Sequence, residues 1–284
     1  SCDFSRTAFT MAGAHGDTKT GHENSANFHD AVLKTFVDFY DKGLIYKGKR
    51  LVNWDPHFET AISDLEVENI EVDGHMWHFK YPLADGETYT YIEKDEDNNI
   101  TLSEERDYIS IATTRPETML GDTAIAVNPK DDRFKHLVGK FVTVPIVGRK
   151  IKIIKDDYAD PEMGTGALKI TPAHDFNDYQ VGQRNNLEII NIFTEGGKVN
   201  DNAPKEYIGL DRFEARKRIL KELKEKEFFV KEENIKNKVP YGDRSNSIIE
   251  PFLTEQWFVD AQKLSVKAKD IVNSKKTNFF PANW

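Results

Sequence analysis

In the stretch from residue 164 to residue 178, GTGALKITPAHDFND, the pattern of apolar and polar residues changes from that of a strand to that of a helix start. This change constrains the local fold more than any other feature of the sequence. From Ala167 to Thr171, small or polar residues alternate with apolar ones, which is the period of a strand with two different faces. Lys169 then shares a face with Ala167 and Thr171, whereas the apolar residues between them point towards a core. The pattern predicts a strand of an α/β fold.

A helix start follows this strand. Pro172 ends the strand, and Asp175 is a typical N-cap residue for a helix that begins immediately after it. Asp178 lies three residues further on, so a helix places it on the same side as Asp175. A cation, a hydroxyl and two carboxylates therefore converge where the strand hands over to the helix. We interpret this point as a small polar binding site.

An ordinary strand edge would carry similar residues: a solvated Lys169, a capping Asp175 and an exposed Asp178. Charged side chains are mostly exposed, so this alternative holds for each residue taken singly. Gly164 and Gly166 lie just upstream and allow a backbone or a ligand to come close, which favours a site for the group.

A second candidate site lies in TTRPETMLGDT. Pro116 holds the preceding residue in an extended conformation and opens a short turn. Arg115 offers a planar fork of donors suited to phosphate or carboxylate. Its alternative role is a surface ion pair with Glu117 or Asp122. The residues expected around this bend are Thr113, Thr114, Arg115 and Thr118.

The rest of the chain predicts a mixed α/β fold. A helix begins at Phe28 and stops at Gly43, and a second begins near Asp211 with a cap. The segment 93–106 is expected to form a surface hairpin or loop, and 239–284 to hold further turns with an aromatic cluster at Trp257 and Phe258. The strands carry β-branched or aromatic residues and are predicted at 108–112, 123–127, 141–147, 150–154, 167–170 and 188–193.

Composition limits the classes of partner. The 284 residues carry a net charge of −9, which argues against a broad nucleic-acid surface but leaves room for a local basic groove. No apolar run is long enough for a membrane span, so no membrane partner is expected. The only cysteine, Cys2, excludes an internal disulfide and fits a reducing cytoplasm. His15, His22 and His29 recur at sevens with Glu23 nearby, but this spacing matches no common zinc pattern, and we expect no metal.

Taken together, several motifs resemble valyl-tRNA synthetases over nearly the whole chain. They are LVNWDPHFETAISDLEVE, TTRPETMLGDTAIAVNP, GTGALKITPAHDFND, GLDRFEARK and IEPFLTEQWFV. The resemblance implies the connective insertion that carries the editing domain, with short flanks of the synthetic domain. It also implies a compact, barrel-like editing domain on a stalk. We therefore expect three segments, with a flank at 1–75, the editing domain at 76–240 and a returning stalk at 241–284.

The resemblance also implies roles for single residues. Lys169, Thr171 and Asp175 match the positions that read a threonine side chain, and Asp178 matches the carboxylate that holds the α-ammonium of the substrate. Arg115 and Thr118 match positions that hold the terminal adenosine and its phosphate. Met163 departs from the Phe of some relatives, which puts stacking on the adenine in doubt. His174 has two possible roles: it acts as a general base, or it stabilises the start of the helix.

The implied activity is hydrolysis of threonine wrongly esterified to tRNA(Val), with an ordered water as the nucleophile. The HIGH and KMSKS signatures of ATP-dependent activation do not occur, so ATP and Mg are expected only for a full-length ligase and no cofactor for this chain. We expect a cytoplasmic monomer that is part of a longer protein. Two alternatives stay open: a passive module that positions the tRNA acceptor end without catalysis, and a free-standing deacylase.

Overall fold

The computed structural model describes residues 28–95 and 97–281. It does not describe Cys2 or the side chains of His15, His22 and His29, so the expectations on them stay predictions.

The described chain contains twelve strands and four α-helices, and ten of the strands lie between the first and the second helix. The helices are α1 (Phe28–Asp41), α2 (Phe176–Arg184), α3 (Arg212–Glu225) and α4 (Ala261–Asn273). The strands are β1 (Ile45–Asp55), β2 (Thr60–Ala61), β3 (Val67–Pro82), β4 (Tyr89–Lys94), β5 (Ile100–Arg106), β6 (Tyr108–Thr113), β7 (Ala124–Val127), β8 (Phe141–Thr143), β9 (Lys150–Lys155), β10 (Ala167–Ile170), β11 (Phe229–Gly242) and β12 (Glu250–Val259). The mixed α/β class expected from the sequence is confirmed.

The strands form four sheets, with orders β12-β1-β2, β10-β7-β9-β8, β11-β3-β6 and β4-β5. A single bridge between Leu83 and Val142 joins the second sheet to the end of β3, because β3 ends at Pro82 and the chain then turns through Ala84–Gly86. Within residues 28–95 and 97–281 the sheets therefore close no barrel. This corrects the expectation of a barrel-like domain to one of separate sheets, three of which contribute to one large apolar core.

The sheet β10-β7-β9-β8 separates two apolar clusters. Ile125 and Val127 on one face of β7 belong to the large core, whereas Ala124 and Ala126 on the other face belong to a smaller cluster that includes Val181 of α2. Strand alternation produces this division, since successive side chains point to opposite faces. The sheet thus holds α2 against one face and presents Lys169 of β10 on the other.

The chain divides into two compact units. The larger one is Leu51–Thr254, and it contains all ten residues that the sequence singled out as site candidates. In the described part of the smaller unit, residues 28–50 and 255–281, the ring of Trp257 contacts Phe36 and Tyr40 of α1, with ring centres 5.1 and 6.0 Å apart. The predicted boundaries at 75/76 and 240/241 concern where an insertion joins its flanks, and they stay a prediction.

One predicted strand does not form. Residues 188–193 form no strand beyond one bridge between Phe193 and Val199, because their backbone is bonded to side chains such as the imidazole of His174. Residues 239–281 contain β12 and α4 besides the turns predicted there. The first helix ends before Gly43 as predicted, Asp211 caps α3, and 93–106 lies in the β4-β5 hairpin.

None of the helices within the described ranges is long and apolar enough to cross a membrane.

Candidate active site

The segment that connects β10 to α2 has the conformation that the sequence predicts. Lys169 lies on β10, and the chain leaves the strand through Pro172. The carboxylate of Asp175 then accepts hydrogen bonds from the backbone N–H groups of Asn177 and Asp178, at 2.8 and 3.0 Å, and caps α2. The cap satisfies two donors at the helix start and fixes where Asp178 lies.

A cavity of about 220 Å³ lies at this connection between β10 and α2. Nine of the ten candidate residues line it: Thr113, Thr114, Arg115, Thr118, Lys169, Thr171, His174, Asp175 and Asp178. Met76, Ala112, Tyr158 and Leu168 complete the lining. The two stretches that the sequence offered as separate candidates therefore form one site.

Met163 is the candidate that does not line this cavity. It lines a neighbouring one of about 170 Å³, and its side chain is 70% exposed. The two glycines upstream of β10 both have positive φ, +61° at Gly164 and +80° at Gly166. At Gly166 a Cβ would collide with the guanidinium of Arg133, so this close approach is made by a side chain of the protein itself.

The ammonium of Lys169 lies in a buried polar network. It donates to Thr118 Oγ1 at 2.8 Å, to Asp122 Oδ1 at 3.0 Å and to Thr171 Oγ1. Asp122 is fully buried and also accepts from Thr171 Oγ1 at 2.6 Å and from the hydroxyl of Tyr81 at 2.7 Å. Because three donors are all that an ammonium has, this network fixes Lys169 completely and neutralises its charge. The two threonine hydroxyls keep acceptor capacity towards the cavity.

Asp178 is a buried carboxylate that also lines the cavity. Its Oδ2 accepts the backbone N–H of Thr171 at 2.8 Å, which ties α2 to the end of β10. Burial, reinforced by the negative charge of Asp175, raises the pKa of Asp178 to about 7, although Lys169 and the bond from Thr171 act in the opposite direction. A carboxylate held in this way gains from an incoming cation.

His174 is buried and braces the site. Its Nε2 accepts the backbone N–H of Ile192 at 3.0 Å, so Nδ1 is assigned the proton, and among the described residues that proton has no acceptor. Its ring packs against Phe193 with centres 4.8 Å apart. Burial, together with the charges of Arg115 and Lys169, lowers the pKa of His174 well below its ordinary value. The contacts favour the bracing role over that of a general base.

Arg115 is fixed at the rim by a chain of alternating charges. Its guanidinium donates to Glu250 at 2.6 Å, to Glu117 at 3.2 Å and to the carbonyl of His174 at 3.0 Å. Arg212 and Arg216 lie one turn apart on α3 and bind Glu250 at 2.8 Å and Glu117 at 2.7 Å. Three arginines face two glutamates, so this arginine–glutamate chain keeps one net positive charge beside the cavity. The surface ion pair considered from the sequence is thus a buried network that includes Glu117 but not Asp122.

The Glu250→Gln variant is expected to lower the free energy of unfolding by about 2–4 kcal/mol, because it leaves the buried Arg212 and the partly buried Arg115 short of a counter-charge. The expected loss of unfolding free energy is smaller than for a fully buried ion pair, because the side chain of Arg115 is 29% exposed. Chemical denaturation measures it. Glu214→Gln is the matched control, since Glu214 pairs with Lys217 on the exposed face of α3 and its loss should not change stability measurably. Equal stability of Glu250→Gln and wild type would contradict the prediction.

Sequence reasoning missed Asp122, Tyr158 and Glu250 as site residues. Asp122 lies seven residues after Arg115 within the same motif, so its position was a usable signal. Glu250 lies in the motif IEPFLTEQWFV, to which the sequence assigned no role in the site, and Tyr158 comes from a segment with no local pattern. Among residues 28–95 and 97–281, no three His, Cys, Asp or Glu side chains are grouped so as to hold a metal ion.

Comparison with known families identifies the class of protein. The profile of a family described as tRNA synthetases class I (I, L, M and V) matches residues 1–284. The chain belongs to this family, which confirms the resemblance drawn from its motifs.

Within the family, the similarity is to proteins named valine–tRNA ligase. The chain is 73% identical over 284 residues to that of Pelagibacter ubique, covering 100% of this chain and 29% of the relative. It is 56% identical over 285 residues to the valine–tRNA ligase of Caulobacter vibrioides, and the match covers 100% of this chain and 30% of the relative. It is 51% identical over 341 residues to that of Ruegeria pomeroyi, and the match covers 99% of this chain and 33% of the relative. The chain therefore spans about a third or less of these relatives.

Proposed function

We propose that this chain is an editing hydrolase that cleaves the ester between threonine and the 3′ end of tRNA(Val). The observation that carries the proposal is the single cavity shared by Lys169, Thr171, Asp178 and Arg115. Such a cavity combines acceptors for an alcohol, a carboxylate for an ammonium and a cation for a phosphate. The complete protein would ligate valine to tRNA(Val) with ATP and Mg²⁺, and the proposal assigns no cofactor to this chain.

Threonine and valine are near-isosteres, which is why a second site is needed. A hydrophobic pocket made for valine is known to reject threonine only about a hundredfold, since an extra hydroxyl is a weak obstacle. A pocket that hydrogen-bonds the hydroxyl discriminates in the opposite sense. Valine placed there would leave buried polar groups unpaired, at a cost of roughly 1–3 kcal/mol each.

In the proposed complex, the hydroxyls of Thr171 and Thr118 receive the alcohol of the threonine side chain. This moves Thr118 from the adenosine role implied by the resemblance, because Lys169 binds its hydroxyl together with that of Thr171. Lys169 and Asp122 orient these two hydroxyls, since the ammonium spends its three donors on Thr118, Thr171 and Asp122. Asp178 holds the α-ammonium, and Asp175 adds a second negative charge beside it. The substrate thus lies with its ester carbonyl in the middle of the cavity.

Cleavage follows from this positioning. A water molecule attacks the carbonyl carbon, the C–O bond to the ribose breaks, and the 3′ oxygen takes up a proton. Threonine and a free RNA end are the products. Holding the ester and the water at the right distance can supply much of the acceleration without a protein nucleophile. Arg115 keeps the RNA end from shifting while the bond breaks.

The test is release of threonine from threonyl-tRNA(Val) compared with release of valine from valyl-tRNA(Val). The Thr171→Val variant keeps the volume but removes the hydroxyl, and we expect the preference for threonine to fall roughly 10-fold or more. Thr90→Val, on the exposed side of β4, is the control and should keep the wild-type preference. The ratio of the two rates is insensitive to any loss of folded protein.

Two outcomes would contradict the proposal. An unchanged preference in Thr171→Val would mean that the hydroxyl is read elsewhere. Binding of threonyl-tRNA(Val) without release of threonine would favour the passive positioning module instead.

A further inference from the structure

The hydroxyls of Thr118 and Thr171 each lie between one group that can only donate a hydrogen bond and one that can only accept. The donor is in both cases the ammonium of Lys169, which lies 2.8 Å from Thr118 Oγ1. Thr171 Oγ1 donates to the carboxylate of Asp122 at 2.6 Å. Thr118 Oγ1 donates to the backbone carbonyl of Arg115 at 2.9 Å. Because an ammonium carries only donors and a carboxylate or carbonyl only accepts, the partners fix the direction of all four bonds.

Each of the two hydroxyls is therefore left with one lone pair and no free proton. A hydroxyl has one donor site and two acceptor sites, of which the protein uses the donor and one acceptor. Lys169 gives its third donor to Asp122 at 3.0 Å, so the ammonium has none left for a ligand. We call the part of the cavity that Thr118, Lys169 and Thr171 form the acceptor corner. It can bond only a group that brings its own proton.

The orientation of the Asp122 carboxylate depends on Tyr81, a residue that does not line the cavity. Tyr81 lies on β3 and is fully buried, and its hydroxyl donates to Asp122 Oδ2 at 2.7 Å. The other oxygen, Oδ1, accepts from Thr171 and Lys169. Without the bond from Tyr81, Oδ2 would be a buried acceptor in need of a donor, and the carboxylate would gain by turning. The tyrosine thus keeps Oδ1 where it takes the proton of Thr171.

We propose that the acceptor corner admits only amino-acid side chains that donate a hydrogen bond, and that Tyr81 is the positioning residue that maintains this direction through Asp122. The inference rests on the function proposed above and specifies the substrate class of the same cavity. That class is the esters of amino acids whose β-carbon carries a hydroxyl or another donor. A side chain of the same shape whose polar atom only accepts meets two lone pairs and gains no bond.

The experiment replaces the substrate hydroxyl by fluorine, which has a similar size but cannot donate. The substrates of the 284-residue chain are 3′-O-threonyladenosine and the same ester of 2-amino-3-fluorobutyrate. Each rate is divided by the uncatalysed rate of the same ester, because fluorine also activates the carbonyl. For the wild type, we expect kcat/KM to be roughly 10-fold or more higher for the threonyl ester, since the fluoro side chain leaves buried acceptors unpaired. Equal values overturn the donor proposal and leave the editing function standing.

Tyr81→Phe tests the positioning role, because it keeps the buried ring and removes only the bond to Asp122. We expect the ratio of kcat/KM between the threonyl and the fluoro ester to fall roughly 3-fold or more, which is about the net worth of one hydrogen bond. Tyr207→Phe is the matched control, since Tyr207 is also buried and donates to Glu222 at 2.5 Å, outside the cavity. Its ratio should equal that of the wild type. The same preparation hydrolyses both esters, so misfolded protein does not change the ratio. An unchanged ratio in Tyr81→Phe refutes the role of Tyr81.

Binding gives a second readout that needs no hydrolysis. The probes are 3′-amino-3′-deoxyadenosine carrying threonine or 2-amino-3-fluorobutyrate in amide linkage, which is far less reactive towards water than an ester. Calorimetry should show tighter binding of the threonyl amide to the wild type, and a smaller difference between the two amides in Tyr81→Phe. Failure to hydrolyse the threonyl ester contradicts the editing function, and the calorimetric difference then still decides the donor proposal. Equal affinities of the wild type for the two amides overturn it.

Discussion

Asp178→Asn is expected to abolish deacylation while making the protein more stable at pH 8. The amide keeps an oxygen that can accept the backbone N–H of Thr171, so the tie between α2 and β10 survives. It cannot carry the negative charge that the α-ammonium needs, so positioning of the substrate fails. The loss of activity should be at least 100-fold, in line with the cost of removing a charged contact.

The gain in stability follows from the raised pKa of Asp178. Its folded-state pKa of about 7 lies above its ordinary 3.8, so between these values the folded protein binds more protons than the unfolded chain. The contribution of Asp178 to stability is therefore fully present below about pH 4 and is lost as the pH rises through 7. The gap corresponds to roughly 4 kcal/mol at most. The asparagine side chain does not titrate, so the variant does not lose this stability as the pH rises.

Denaturation of wild type and Asp178→Asn at several pH values between 5.5 and 8 measures the effect. We expect the advantage of the variant to grow with pH and to level off above 7. Asp201→Asn, at an exposed position, is the matched control and should show no such trend. A variant that is less stable than wild type at pH 8, or that deacylates normally, would refute the assignment of Asp178.

Asp122→Ala is expected to be the most destabilising single change at the site. Asp122 is fully buried and is the carboxylate that pairs with Lys169, whose side chain is 7% exposed. Removing one partner of a buried ion pair costs about 3–5 kcal/mol, because the remaining charge has no compensation. Tyr81 also loses the acceptor of its hydroxyl. The hydroxyls of Thr118 and Thr171 lose their orientation, so deacylation should fail as well.

A double variant separates charge from packing. Asp122→Ala combined with Lys169→Met removes both charges, and we expect much of the lost stability to return while deacylation stays absent. Asp156→Ala is the control for burial, since Asp156 is buried but its partner Arg184 is 46% exposed, and the loss should be smaller. A double variant whose instability equals the sum of the two single effects would show that Asp122 and Lys169 are not coupled.

The predictions from sequence succeeded where a local pattern had a local cause. The alternation of residues 167–171 and the cap at Asp175 gave β10 and α2 correctly, because period and capping are properties of neighbouring residues. The prediction failed at 188–193, where apolar and β-branched residues suggested a strand. There the backbone of Ile192 instead bonds the side chain of His174, a partner that no local pattern reveals.

The sequence by itself determined the family, the mixed α/β class and nine of the thirteen residues that line the cavity. It could not say that Lys169 is neutralised by Asp122, 47 positions away, or that Arg115 is held by Glu250, 135 positions away. Only the tertiary structure decided these pairs, because the sequence gives the charges but burial and distance decide which of them meet and what their meeting costs. For the same reason, the raised pKa of Asp178 appears only once the folded chain has removed that carboxylate from water.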